Sequence, residues 1–356
     1  MSFTIYQNNE KQIEIITRPK MGSSTLQHPG LIYSNDYGQD YPDAVPGLFK
    51  IKKDWSRYDG YASNPNNNII TEAGISSFVP SHLHNLNWIG HLKPDNTKYF
   101  LYRDPIKKYI SGLTQLYFYG QEVNTNLIVP EGIDPTNFKM HTVSAYGISS
   151  LEVSKKLLHY YEDAPDSFFE TYISTVEEIN SNELGYSPDI AYLDSHIIRG
   201  LIHAVILKLL YPEKTQLVLL DNLDDVIRKH IISDDDFDVE RINVTISDRF
   251  NIESLLTQDP NSDDLREINL NKIKKIMHNQ FNKLVRKELA CSDGPNNTKG
   301  FLDLEIKIWN ELENNSEPLS ILKMVVTELT SNVLPVIHKI YYEHIIRCFR
   351  NKYGII

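Results

Sequence analysis

Short runs of β-branched, aliphatic and aromatic residues recur along the chain, each closed by a turn or a helix-start signal. Ile13–Thr17 (IEIIT), Lys98–Arg103 (KYFLYR) and Thr215–Asp221 (TQLVLLD) have this form. Runs of that length and composition predict strands buried on both faces, as in a parallel sheet. A weaker run, Gly74–Pro80 (GISSFVP), predicts a fourth strand. Helical segments lie between them. Pro105–Phe118 has Asp104 in the N-cap position and proline at the first helical position. Ser195–Leu210 is strongly apolar and stops before Pro212, and Leu319–Tyr353 reads as helix broken near Pro335. Strands alternating with helices predict an α/β fold whose parallel sheet is flanked by helices. Residues 1–225 form the expected α/β core. Residues 226–356 form an irregular, mostly helical C-terminal extension that packs on it, with helical pieces such as Ile268–Leu289 in an acidic, polar stretch from about 225 to 316.

Two of the strand ends carry anion chemistry. Ile13–Thr17 runs into Arg18-Pro19-Lys20-Met21-Gly22-Ser23-Ser24-Thr25-Leu26. A strand, a glycine turn and three hydroxyl residues opening a helix make a cradle in which backbone N–H groups and the helix dipole favour negative charge. Gly22 allows close approach of the backbone, and Ser23, Ser24 and Thr25 each carry a hydroxyl donor. Lys20 adds a point charge. An ordinary strand–turn–helix connection with serine as N-cap has the same sequence form. The loop lacks the Gly-Lys-Ser/Thr of a Walker motif, since its only lysine precedes the glycine.

The second candidate follows Lys98–Arg103. Arg103 stands at the C-terminal end of its strand, where open α/β sheets bind ligands, and its guanidinium suits bidentate contact to phosphate. Ser111 lies seven residues after Asp104, nearly two helical turns, and so returns to the same face. Lys107 and Lys108 are read as solvated.

Together these segments resemble PAPS-dependent sulfotransferases, where PAPS is 3′-phosphoadenosine 5′-phosphosulfate. Arg18–Leu26 is similar to their 5′-phosphosulfate loop, Pro-Lys-x-Gly-Ser/Thr-Ser/Thr. Tyr102–Gly112 is similar to their 3′-phosphate motif, in which a serine follows the arginine by eight residues, as Ser111 follows Arg103. Pro80-Ser81-His82-Leu83 resembles the segment that carries a catalytic histidine in many members, and Leu209–Leu223 resembles their helix, strand and acidic turn. The resemblance implies that Arg18, Lys20, Gly22, Ser23, Ser24 and Thr25 hold the 5′ end of the nucleotide, and Arg103 and Ser111 the 3′-phosphate. It further implies that Lys20 neutralises charge on the leaving group and that His82 is the base, with His84 and Glu72 as rivals. The fold expectation becomes a P-loop-like parallel sheet. PAPS is the expected donor, adenosine 3′,5′-bisphosphate (PAP) the product, and the hydroxyl of a glycan or small molecule the acceptor. No metal is expected, because lysine, arginine and backbone dipoles carry the positive charge. The Ser-Ser-Thr loop is closer to carbohydrate-type members, and the Arg-Lys-Gly loop of the small-molecule branch is absent, Lys299-Gly300 being the nearest approach.

Composition narrows the partners. Net charge is −11, which argues against a general affinity for nucleic acid or anionic membrane while leaving room for one basic pocket. No apolar run reaches the length of a membrane span, and Met1 to Lys20 lacks a signal-peptide pattern. The two cysteines, Cys291 and Cys348, suggest neither a disulfide framework nor a zinc cluster. A cytoplasmic protein is the expectation. Two other functions fit the anion motifs: a P-loop kinase-like phosphotransferase, which needs the missing Gly-Lys-Ser/Thr, and a non-catalytic module binding PAP or a sulfated glycan.

Overall fold

Two stretches of the N-terminal segment, Thr4–Asn8 (β1) and Ile13–Thr17 (β2), fold back on each other as an antiparallel pair. The computed structural model describes residues 4–18, 26, 33–37, 49–51, 54–59, 86–119, 200–231, 263–290, 296–331 and 336–354. The remaining strands are β3 (Tyr33–Tyr37), β4 (Phe49–Ile51), β5 (Trp55–Asp59), β6 (Thr97–Tyr102) and β7 (Thr215–Leu219). Five of them form one sheet in the order β5-β1-β2-β6-β7, and β3 pairs with β4 alone.

The sheet is mixed, which corrects the expectation of a parallel one. β2, β6 and β7 are mutually parallel, whereas β1 runs antiparallel to both β2 and β5. The short connection from β1 to β2 dictates this, because a tight turn can join only antiparallel neighbours, whereas parallel ones need a crossover. The turn is built without glycine. Asn8 Oδ1 accepts from the Lys11 backbone N–H, three residues on, at 3.0 Å, bracing the turn from its own first residue, and Gln12 takes a left-handed φ of 52°.

Successive strand residues serve opposite faces. Ile5, Ile16, Phe100 and Tyr102 lie in one apolar cluster, and Tyr6, Ile13, Ile15, Tyr99, Leu101 and Val218 in another. The predicted strands therefore read as continuous apolar runs, being covered on both sides. The predicted strand Gly74–Pro80 lies outside the described residues.

Helix α1 (Pro105–Tyr119) starts as its sequence requires: Asp104 Oδ1 accepts from the Lys107 N–H at 2.9 Å. Helices α2 (Ile202–Leu210), α3 (Leu223–His230), α4 (Asp263–Ala290), α5 (Asn296–Glu313), α6 (Pro318–Ser331) and α7 (Val336–Tyr353) follow. The described C-terminal segment is thus regular helix, with α6 and α7 on either side of Pro335. α1, α2 and α4 to α7 contribute to the cluster that holds Ile5 and Phe100, and α3 covers the opposite face with Leu26. α4 and α5 pack against α1, α6 against α2, and α7 against the 3-10 turn Leu86–His91. No helix among the described residues is long and apolar enough to cross a membrane.

Gly200, just before α2, packs tightly against the C-terminal helices. A Cβ there would overlap Glu305 Oε1 and the Tyr342 hydroxyl, and both side chains are buried. Gly200→Ala is therefore expected to destabilise the fold by about 1–3 kcal/mol, read as a lower urea midpoint with an unchanged slope.

Candidate functional site

Because β2, β6 and β7 are parallel neighbours, their C-terminal ends leave the sheet along one edge. Arg18 follows β2, Arg103 follows β6, and the 3-10 turn Leu220–Asn222 follows β7. At the edge where an open α/β sheet binds ligands, the chain thus passes through both motif arginines and an acidic turn.

Arg103 is partly buried at this edge. Burial pushes its guanidinium below the ordinary arginine value, while Asp221 and then Asp104 pull it back. Its Nε is enclosed and has no hydrogen-bond partner among the described residues. An enclosed donor of that kind is costly unless an acceptor satisfies it. An anionic oxygen meets that need, so this residue fits a phosphate group. Ser111 is half-buried in the second turn of α1. Lys107 is exposed and pairs with Asp221 at 3.0 Å, a surface contact of small energetic weight.

Arg18 has a different setting from the one its sequence suggests. Its side chain is fully buried. One terminal nitrogen donates to the Gly200 carbonyl at 2.5 Å, and the guanidinium lies 5.1 Å from the centre of the Phe100 ring. It ties the end of β2 to the start of α2.

Beneath the edge lies a buried charge cluster that the sequence analysis missed. Lys108, read there as solvated, is only 6% exposed. It faces Glu305, a carboxylate on α5 whose Oε2 accepts from the Leu201 N–H at 2.9 Å. Burial pushes Glu305 above the usual carboxylate range, and Lys108, the Leu201 N–H and Arg18 oppose that shift in decreasing order. The helical period held the missing signal: Lys108 aligns with Pro105 and Gly112, both buried, at i, i+3 and i+7. Glu305 offered none, since its partners are far away in sequence.

The C-terminal helices also brace α1 directly, through Thr114 Oγ1 and His278 Nδ1 at 3.3 Å. Lys20, Gly22, Ser23, Ser24, Thr25 and His82, with the rivals His84 and Glu72, lie outside the described residues. Leu26, the residue after the first loop, is helical and fully buried. Among the described residues no group of three or more His, Cys, Asp or Glu side chains is placed to hold a metal. Comparison with family models, with curated proteins and with solved structures finds no match for this chain.

Proposed function

We propose that this protein is a sulfotransferase that moves a sulfuryl group from PAPS to a hydroxyl of a glycan or small-molecule acceptor. One observation carries the reading. The two segments that resemble the phosphate motifs follow β2 and β6, which are adjacent and parallel, and Arg103 stands at the shared edge with an enclosed Nε that has no partner among the described residues. PAPS supplies the activated sulfuryl group.

The chain's own residues do the rest. Arg103 and Ser111 hold the 3′-phosphate. Lys20, Gly22, Ser23, Ser24 and Thr25 hold the 5′ end, and Lys20 offsets negative charge as it develops on the leaving phosphate oxygen. His82 takes the acceptor proton. Arg18 and the Lys108–Glu305 pair lie beneath the edge and position β2 and α1 relative to each other.

The test is ligand-dependent melting. PAP should stabilise the fold by roughly 2.7 kcal/mol at one hundred times its dissociation constant, and ATP with magnesium by less. Greater stabilisation by ATP with magnesium overturns the reading in favour of a kinase-like one. A second prediction addresses Arg103 alone. Arg103→Ala should weaken PAP binding by about 1.5–3 kcal/mol and leave adenosine 5′-phosphosulfate, which has no 3′-phosphate, unaffected. Equal weakening of both ligands, measured by titration calorimetry, removes Arg103 from 3′-phosphate recognition.

A further inference from the structure

Helix α4 departs from the charge of the chain around it. From Ile268 to Lys287 the sequence contains six lysine or arginine residues and no aspartate or glutamate, in a protein of net charge −11. Met277, Phe281 and Val285 are buried, and their i, i+4, i+8 spacing turns one face of the helix into the core. Lys275, Lys283, Arg286 and Lys287 are all exposed. At about 100° per residue these four fall within a sector of about 120°, centred opposite the buried face. Among the described residues none of the four pairs with a carboxylate, and Arg286 Nε donates to Asn282 Oδ1 at 2.7 Å. Cations gathered on one face with no counter-charge among the described residues repel one another, so the arrangement costs stability unless an anion covers it.

We propose that this face of α4 binds a linear acidic polysaccharide. Lys275 to Lys287 spans about 18 Å along the helix axis, a track rather than a pocket. The Arg286 fork suits carboxylate or sulfate, the lysines add point charges, and exposed Asn279 offers an amide for sugar hydroxyls. A thin chain contacts only this stripe. A flat anionic membrane or a DNA duplex would also meet the acidic remainder of the surface. Membrane binding further needs a free apolar face, and Met277, Phe281 and Val285 of α4 are in the core, with Leu284, 43% exposed, the only exposed large apolar side chain among the described residues of the helix. Single-stranded nucleic acid needs aromatic platforms for its bases, and the described exposed residues of α4 include none. The inference concerns a different surface from the strand edge and stands without the sulfuryl-transfer reading.

The test uses the full chain with polygalacturonate and dextran sulfate as probes and neutral dextran as control. The variant Lys275→Gln/Lys283→Gln/Arg286→Gln/Lys287→Gln is compared with Lys229→Gln/Lys323→Gln/Arg347→Gln/Arg350→Gln, which removes the same charge from exposed positions on other helices. Wild type and the second variant should bind both polyanions and release them as salt is raised. The first should bind at least about tenfold more weakly, a loss of about 1.4 kcal/mol, with a melting temperature no lower than that of wild type, since relieving the repulsion does not destabilise the fold. Equal weakening in the two variants overturns the proposal by reducing it to net charge. Tighter binding of oligo(dT) or of phosphatidylserine vesicles than of polygalacturonate overturns it in favour of nucleic acid or membrane.

Discussion

Glu14→Ala should lower stability by about 3–5 kcal/mol, among the largest effects expected of a single substitution in this fold. Glu14 on β2 and Lys98 on β6 stand directly opposite each other, with neither side chain exposed and 3.7 Å between their charges. The carboxylate also accepts from Gln7 Nε2 at 2.9 Å and from the Lys93 N–H at 2.8 Å. The ammonium donates to the Lys93 and Asn96 carbonyls at 2.6 and 2.7 Å and lies 4.3 Å from the centre of the Tyr211 ring. Burial is the largest influence on both groups, pushing Glu14 up and Lys98 down, and their attraction only partly opposes it. Desolvation therefore outweighs pairing, and the danger lies in leaving one charge behind.

The double variant Glu14→Met/Lys98→Met should accordingly come within about 1 kcal/mol of wild type or exceed it. The penalty of Glu14→Ala should also shrink as pH rises. The folded state holds the Lys98 proton less tightly than the unfolded chain does, so stability is regained between the lowered folded value and the ordinary lysine value of about 10.4. Urea unfolding of the three species at two pH values measures all of this. A Glu14→Ala protein within 1 kcal/mol of wild type at neutral pH would show that Lys98 finds water.

His82→Ala should reduce turnover by about two to four orders of magnitude, with PAP affinity and melting temperature nearly unchanged. This rests on the proposed reaction. An acceptor hydroxyl must lose its proton as it attacks sulfur, and an imidazole near its ordinary pKa of about 6.5 accepts one at neutral pH. The turn Leu86–His91, which begins four residues after His82, is anchored by buried Leu86, Trp88 and Ile89. The chain then continues into β6, whose far end carries Arg103. His84→Ala should cost much less. Labelled-sulfuryl transfer assays decide between the two. Near-normal turnover in His82→Ala, with loss in His84→Ala or Glu72→Gln, would move the base to that residue and leave the transferase reading in place.

Local chemistry made part of this architecture readable before any coordinates. β2, β6 and β7 show as apolar runs because each is covered on both faces, and the ends of the runs differ from the strand ends by two residues at most. The start of α1 shows because Asp104 and Pro105 cap it from within the same turn. The two helices flanking Pro335 show because proline cannot sit in a helix interior. β1 and β5 did not show. Thr4–Asn8 is short and partly polar, its turn relies on an asparagine side chain and a left-handed glutamine, and its pairing with β5 joins residues about fifty positions apart.

The meaning of each cation was decided only by the tertiary structure. Lys98 and Arg103 bracket one strand run, yet Lys98 is sealed against Glu14 at one end while Arg103 stands at the C-terminal edge of the parallel strands at the other. Lys107 and Lys108 are adjacent in sequence. About 100° of helical rotation puts Lys107 in water beside Asp221 and Lys108 in the core against Glu305. Arg18 belongs to the motif that resembles a nucleotide loop, but the start of α2 lies over the end of β2 and draws its guanidinium inward to Gly200. Composition and spacing place positive charge along the chain. Burial and the nearest carboxylate, both set by elements distant in sequence, determine whether that charge holds the fold together or meets a ligand.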